Sequence, residues 1–429
     1  MSSLLWGSVS FAQDDQTDSN SANTNPTRTE PQVTLDDLRT FTDVFSAIRQ
    51  FYVEDVDDRD LLEAALAGML SDLDPHSEWI SAEEYNNVEE SATGRYGGLG
   101  IEFQIVDGRF TVITAVDGTP AEKAGIQPGQ VILAVDGERL EDSGVQAAVE
   151  AMRGEPGTDV VLKIYDPAVK KDKPHDITLT REIIHALSVR SRILEDRYAY
   201  LRIASFQDET AVQVERSLNK LKEKIGSDPS GVILDVRNNP GGVLYSAVQS
   251  ADHFLDSGKI VSTRGRTRES HMEFSADRQL LIPDDIPIVV LVNGGSASAS
   301  EILAAALQDN ERAIILGQQT FGKGSVQSVV PMRNGSAIRL TTSRYYTPND
   351  RSIQLEGVTP DIILPNVTVS ANRERTRESD LSGRLDNEGN ISDKNPNAVP
   401  ELAEEDYALF EAVNLLKSLN LASRGSARG

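Results

Sequence analysis

The apolar run Ile288 to Val292 leads straight into Asn293-Gly294-Gly295-Ser296-Ala297-Ser298-Ala299-Ser300-Glu301 and then into the helix-forming stretch Ile302 to Leu307. A small-residue turn between a buried strand and a helix puts one side chain at the strand's carboxyl edge, beside the free backbone N–H groups of the helix start. That setting suits an exposed serine nucleophile. It also suits a capped helix, because serine is a preferred N-cap. A serine hydroxyl is a weak nucleophile at neutral pH and needs a base. None of the five histidines (His76, His175, His185, His253, His271) lies within twenty residues of Ser298. The candidate base is Lys323, in Thr320-Phe321-Gly322-Lys323-Gly324-Ser325-Val326-Gln327. A lysine amine, with an ordinary pKa of about 10.4, becomes a usable base when desolvation or a neighbouring dipole lowers that value. Without such surroundings the same sequence is a solvated loop lysine.

Composition removes other chemistries. The 429 residues contain no cysteine, which excludes disulfide frameworks, thiolate zinc sites and a cysteine nucleophile. No two histidines have the His-Glu-x-x-His spacing, so a metallohydrolase has little support and no metal or organic cofactor is expected. Nor is the serine turn the Gly-x-Ser-x-Gly elbow of the α/β-hydrolases. With 42 Lys plus Arg against 67 Asp plus Glu, the formal net charge of −25 repels phosphate and argues against nucleic acid or an anionic membrane face as partner. No apolar run reaches about 18 residues, the length that would span a bilayer. Leu4 to Phe11 is short and apolar and ends in Ser10-Phe11-Ala12, small residues at the −3 and −1 positions of a cleavage after Ala12. We read it as the back half of a secretory signal, which implies a periplasmic or secreted protein.

These residues must be positioned by elements visible in the pattern. Residues 1–32 form a signal remnant and polar tether. Region 33–95 is helical: Thr34 and Asp37 cap a helix with Leu38, Phe41, Phe45, Ile48 and Tyr52 on one face, and a second carries Leu62, Leu66, Met69 and Leu73 and ends before Asp74-Pro75. Residues 96–182 are a small β-rich domain: Ile101 to Ile105 and Phe110 to Ala115 flank an Asp107-Gly108 turn, followed by Val131 to Val135, a helix from Val145 to Met152, Thr158 to Tyr165 and Ile177 to Arg181. Residues 183–369 alternate strands and helices as an α/β core. A polar linker, 370–400, precedes a C-terminal helix and tail, 401–429, with Leu409, Val413 and Leu416 on one face.

Within the β-rich domain, Tyr96-Gly97-Gly98-Leu99-Gly100-Ile101, Pro120 to Gly125 and Gly129 to Gly137 together resemble a PDZ domain. Gly98, Leu99, Gly100 and Ile101 would then bind peptide: backbone N–H groups gather a terminal carboxylate, Leu99 and Ile101 floor an apolar pocket, and the strand edge pairs with the peptide. In the core, Leu234-Asp235-Val236-Arg237-Asn238-Asn239-Pro240-Gly241-Gly242, Asn293 to Glu301, Leu316 to Gln327 and Glu356-Gly357-Val358-Thr359-Pro360-Asp361 resemble the carboxy-terminal processing peptidases, or tail-specific proteases, over roughly residues 35 to 366.

The resemblance implies a crotonase/ClpP-like α/β protease core with an inserted PDZ domain and N- and C-terminal helices. It implies that Ser298 is the nucleophile, Lys323 its general base twenty-five residues later, and Gln327 the residue that hydrogen-bonds and directs Lys323. Ser296 and Ser300, on either side, are the rival assignments. Backbone N–H groups of Gly241 or Gly242 and of Ala299 would form the oxyanion hole. The expected activity is a serine endopeptidase that reads flexible apolar C-termini of proteins, with the PDZ domain gating access. The resemblance and the apolar helix faces also point to a homo-oligomer, and leave room for an accessory lipoprotein that delivers substrate. The rivals are a catalytically dead PDZ scaffold on the same core and a crotonase-like thioester enzyme, which would need affinity for a pantetheine nucleotide.

Overall fold

The computed structural model describes residues 33–106, 108–116, 118–140, 145–169, 173–277, 280–365, 367 and 400–426. The signal remnant and tether, Asp107 of the expected hairpin turn and nearly all of the 370–400 linker lie outside the described residues. The chain divides into two compact units between Ala65 and Leu66. In the first, Leu35–Phe51 is a helix opened by the expected capping box: Thr34 Oγ1 accepts the Asp37 N–H at 3.2 Å and Asp37 Oδ2 accepts the Thr34 N–H at 2.8 Å. Its neighbour, Asp58–Ser71, runs across the division.

The second unit is built on a six-stranded sheet. Its order is Val189–Leu194, Tyr198–Ile203, Gly231–Asp235, Ile288–Val292, Ile314–Gly317 and Ile362–Ile363, antiparallel in the first pair and parallel from the second strand onward. The two central strands are buried at every residue, as expected of parallel strands covered on both faces. Side chains alternate between those faces. Val232, Leu234, Val290 and Val292 join the core formed with helices Thr210–Ile225, Leu244–Asp252 and Ala299–Asp309. Ile233, Val289, Leu291 and Leu316 face Leu409, Val413 and Leu416 of the helix Tyr407–Ser426. The apolar stripe of the C-terminal helix, counted above among the faces that point to a homo-oligomer, packs on the sheet of its own chain.

An antiparallel sheet places Ala337–Tyr346 between Glu78–Ile80, Ser325–Pro331 and Lys259–Gly265, with Met272–Ser275 beyond. The third sheet is the β-rich domain, ordered Ile101–Val106, Arg109–Ala115, Val131–Val135, Asp159–Tyr165, His175–Thr180, with the expected helix Val145–Met152. Arg95–Gly98 and Glu182–His185 pair at its base, where the chain enters and leaves. The helix Ala82–Thr93, which the sequence pattern did not reveal, ends at Gly94 in the left-handed region, φ 68°.

Candidate active site

Three loops leave the carboxyl ends of adjacent parallel strands: 236–243, 293–298 and 318–324. In an open α/β sheet this edge is where reacting groups gather. Around it lies a cavity of about 610 Å³, with Ser298, Ala299, Gly242, Lys323 and Gln327 all on its wall. Its apolar lining includes Val88 and Ala92 of the Ala82–Thr93 helix, together with Phe206, Leu244, Ile302 and Val329.

The three serines of the turn separate by what they touch. Ser296 is buried, its Oγ donating to the Val236 carbonyl at 2.8 Å and accepting the Asn293 N–H at 3.0 Å. Ser300 is also buried, donating to the Asn239 carbonyl at 2.9 Å. Both fasten the turn to the neighbouring loop. Ser298 is half-buried on the cavity wall with φ 56° and ψ −112°, a conformation that L-residues avoid and that functional turns retain when their surroundings over-determine it.

Of the oxyanion candidates, Gly241 donates its N–H to Asn239 Oδ1 at 2.9 Å and is absent from the cavity lining. Among the described residues neither the Gly242 nor the Ala299 N–H has a hydrogen-bond partner, and both residues line the cavity. A side chain at Gly242 has no room, since a Cβ there would lie 2.0 Å from the Phe206 carbonyl oxygen.

Lys323 enters from the loop after the strand Ile314–Gly317. Burial, and then the charge of Arg339, lower its pKa from the usual lysine value, while Asp74 and Glu78 work the other way. Among the described residues no ion pair or hydrogen bond holds its ammonium. Gln327 makes no hydrogen bond to Lys323: its Nε2 donates to Ser325 Oγ at 2.9 Å and to Thr341 Oγ1 at 3.3 Å. The Tyr345 hydroxyl donates to the Lys323 carbonyl; burial and the nearby charge of Glu301 push its pKa well up.

Glu301 is the residue whose role sequence reasoning missed. It is wholly buried. Its Oε1 accepts from Thr320 Oγ1 (2.6 Å) and the Gly322 N–H (2.7 Å), and its Oε2 from the N–H groups of Ser298 (2.8 Å) and Lys323 (3.0 Å). Burial pushes its pKa up, and those four donors counteract part of the effect. The available signal was the Ser298-x-x-Glu301 spacing, which reads as a capping box and says nothing about the second loop.

The Gly98–Ile101 segment lies away from this cavity. Leu99 is 3% exposed and packs in the core of the β-rich domain with Phe110, Ala121 and Ile126, so it floors no open pocket. Ile101 and Phe103 are half-buried on the edge strand Ile101–Val106 and pack against that core. Gly98 ends the strand Arg95–Gly98, and Gly100 takes φ 75°, where a Cβ would meet Thr119 at 2.4 Å. Among the described residues the N–H groups of Leu99 and Gly100 have no partner, while the Leu99 carbonyl accepts from Ala121 and the Gly100 carbonyl from Val116. The helix Ala82–Thr93 touches both regions: Asn87, Val88, Ser91 and Ala92 line the cavity, and Glu90 pairs with Arg153 of the β-rich domain at 3.3 Å.

Three segments of the chain match models of known protein families. Residues 197–364 match the model of peptidase family S41, 111–166 a PDZ domain, and 2–84 the N-terminal domain of the activating protease CtpB. A carboxy-terminal-processing protease of Bartonella bacilliformis is 41% identical over 91% of this chain and 91% of its own. One from a Synechocystis species is 36% identical over 75% of this chain and 76% of its own. A solved photosystem II D1 C-terminal processing protease, 28% identical, superposes with a TM-score of 0.44 over 77% of this chain and 94% of that one.

Proposed function

The chain belongs to the carboxy-terminal processing proteases of peptidase family S41, serine-type peptidases carrying a PDZ domain, and from that premise we propose that it cleaves peptide bonds with Ser298 as nucleophile and Lys323 as general base. The observation that carries this reading is the shared hold on the two residues. Both line one cavity, and both donate a backbone N–H to the same oxygen of Glu301.

In the proposed reaction the neutral Lys323 amine takes the Ser298 hydroxyl proton as Oγ bonds to the substrate carbonyl carbon. The oxyanion is received by the Gly242 and Ala299 N–H groups. The C–N bond then breaks, with Lys323 returning the proton to the leaving amine, and water hydrolyses the acyl-enzyme by the same route. Lowering the lysine pKa by burial enlarges the neutral fraction at working pH, as a base needs.

The substrates are proteins with unstructured, apolar C-termini. The free Leu99 and Gly100 N–H groups and the open edge of Ile101–Val106 suit a terminal carboxylate and a paired strand. The Ala82–Thr93 helix, with one face on the cavity and Glu90 on Arg153, is the element through which the PDZ domain would gate access. A crotonase/ClpP-like core, a periplasmic or secreted location, assembly into a homo-oligomer and delivery of substrate by an accessory lipoprotein belong to the same proposal. Ser298→Ala and Lys323→Ala should each abolish cleavage of an unstructured protein with an apolar tail while leaving the melting transition in place. Parent-like cleavage by either variant would overturn the dyad.

A further inference from the structure

A second polar network reaches Gln327 from residues distant in the chain. In the antiparallel pair of Ser325–Pro331 with Ala337–Tyr346, Gln327 stands directly opposite Thr341, so the two side chains share a face. Gln327 Nε2 donates to Thr341 Oγ1 (3.3 Å), and Thr341 Oγ1 donates to Asp74 Oδ1 (3.1 Å). Asp74 opens the turn Asp74-Pro75-His76-Ser77, which the strand Glu78–Ile80 fastens alongside Ala337–Tyr346, with Glu78 opposite Arg339. The same carboxylate accepts the N–H groups of His76 (2.8 Å) and Ser77 (3.0 Å) and the Ser77 hydroxyl (2.7 Å). Burial works to raise the Asp74 pKa, but the hydrogen bonds from Ser77, His76 and Thr341 outweigh it and hold the carboxyl below its usual value.

The direction of each proton follows. An ionised carboxylate can only accept, so the single hydroxyl proton of Thr341 goes to Asp74. The Thr341 oxygen is then left as an acceptor, and the Gln327 group facing it must be the amide N–H. With Nε2 committed to Thr341 and Ser325, Oε1 is the Gln327 atom open to another partner, and among the described residues it has none. Lys323 shares the cavity wall with Gln327, and its ammonium is equally unbound among the described residues.

We infer that Asp74 and Thr341 are positioning residues for the peptidase reaction: the carboxylate orients the Thr341 hydroxyl, the hydroxyl orients the Gln327 amide, and the amide oxygen thus presented accepts a hydrogen bond from Lys323 Nζ–H. The inference rests on the Ser298–Lys323 reading. An Nζ–H anchored on Oε1 leaves the lone pair of the neutral amine for the Ser298 proton, and the same bond holds the ammonium once it forms. Without Asp74, the Thr341 hydroxyl is free to donate to Oε1, and the amide can reverse and turn its own N–H groups toward Lys323.

The test uses the full chain, an unstructured tailed substrate, and the variants Thr341→Val, Thr341→Ser and Asp74→Ala, each first checked for a cooperative melting transition. Thr341→Val and Asp74→Ala should each lower kcat by about tenfold to a hundredfold with KM held within about twofold, the pattern of an interaction that matters in the chemical step. Thr341→Ser, which keeps the hydroxyl, should recover kcat to within about threefold of the parent. If Asp74→Ala does not fold, the Thr341 pair decides alone. Unchanged kcat in Thr341→Val, equal impairment of the Val and Ser variants, or a change confined to KM would each overturn the relay. Ser298→Ala and Lys323→Ala run in the same assay. If both are inactive while Thr341→Val matches the parent, the relay fails and the dyad stands; activity in either alanine variant overturns the dyad itself.

Discussion

Ser298 donates its backbone N–H to Glu301 Oε2 at 2.8 Å while holding φ 56° and ψ −112°. The same oxygen accepts the Lys323 N–H at 3.0 Å, so one carboxylate sustains the unfavourable backbone of the serine and fixes the loop of the lysine. In Glu301→Gln, an NH2 group on the Oε2 side would face the N–H groups of Ser298 and Lys323, whereas on the Oε1 side it would face the Gly322 N–H and the Thr320 hydroxyl, which can turn and accept. Either way at least one buried N–H loses its acceptor, a cost of about 1–3 kcal/mol. Thermal denaturation should show that loss, and acylation of Ser298 by a small serine-reactive probe should slow by more than about tenfold, because the probe needs the turn but not the PDZ domain. Parent-like melting and labelling together would show that the carboxylate carries neither function.

The environment of Lys323 makes a signed statement about pH. Burial and the positive charge of Arg339 lower its pKa, so the rising limb of kcat/KM should lie below the ordinary lysine value of about 10.4. Arg339→Gln removes one lowering influence and frees Glu78, the partner of Arg339, whose charge favours the ammonium form. The limb should therefore move to higher pH, and the rate at neutral pH should fall. A shift to lower pH, or none, would show that Lys323 is not the group titrating.

Binding of the tail should depend on the edge strand rather than on the residue beside the glycines. Ile101→Asp together with Phe103→Asp places charge on two half-buried positions of that strand and should reduce processing of tailed substrates by about tenfold or more, with KM rising. Cleavage of a tailless, unfolded protein under saturating conditions should change less. If both substrates respond equally, or neither does, the strand does not read the tail.

The parts of this site that lie within one local segment were legible in the sequence. The serine turn, the Gly-Lys-Gly loop and the Asn239 to Gly242 loop each sit where a buried strand ends, and the apolar runs marked those ends. What closes the site across the chain was not legible. Glu301 reaches residues 320–323, and Thr341 meets Asp74 from 267 positions away, contacts that no periodicity encodes. The strand Ser325–Pro331 has polar residues that interrupt its alternation, and among them is Gln327, which lines the cavity. Leu99 was misplaced for a different reason. An apolar residue between glycines reads as a pocket floor, but the chain turns it into the domain core, where Ala121 donates its N–H to the Leu99 carbonyl.

The C-terminal helix carries the last prediction. Arg237, directly before the Asn238 to Gly242 loop, donates to Asp235 Oδ2 (2.6 Å) and to Asp406 Oδ1 (2.8 Å) and Oδ2 (2.7 Å), so the start of the helix Tyr407–Ser426 is tied to the strand end that carries the oxyanion candidates. Burial would raise the Asp406 pKa, but hydrogen bonds from Arg237 and the Leu409 N–H hold it below the usual carboxylate value. A carboxyl with a depressed folded-state pKa contributes stability that is present above its unfolded value, about 3.9, and is lost as pH falls through the folded value. Asp406→Ala should therefore cost about 2 kcal/mol at neutral pH, with the difference from the parent closing below about pH 4. Removing residues 401–429 should do more, because it uncovers Ile233, Val289, Leu291 and Leu316. Light scattering should then show aggregation rather than dissociation of a defined oligomer. A truncated chain that melts like the parent and merely changes its subunit count would show that this helix serves assembly, and that its packing on the sheet adds little to the fold.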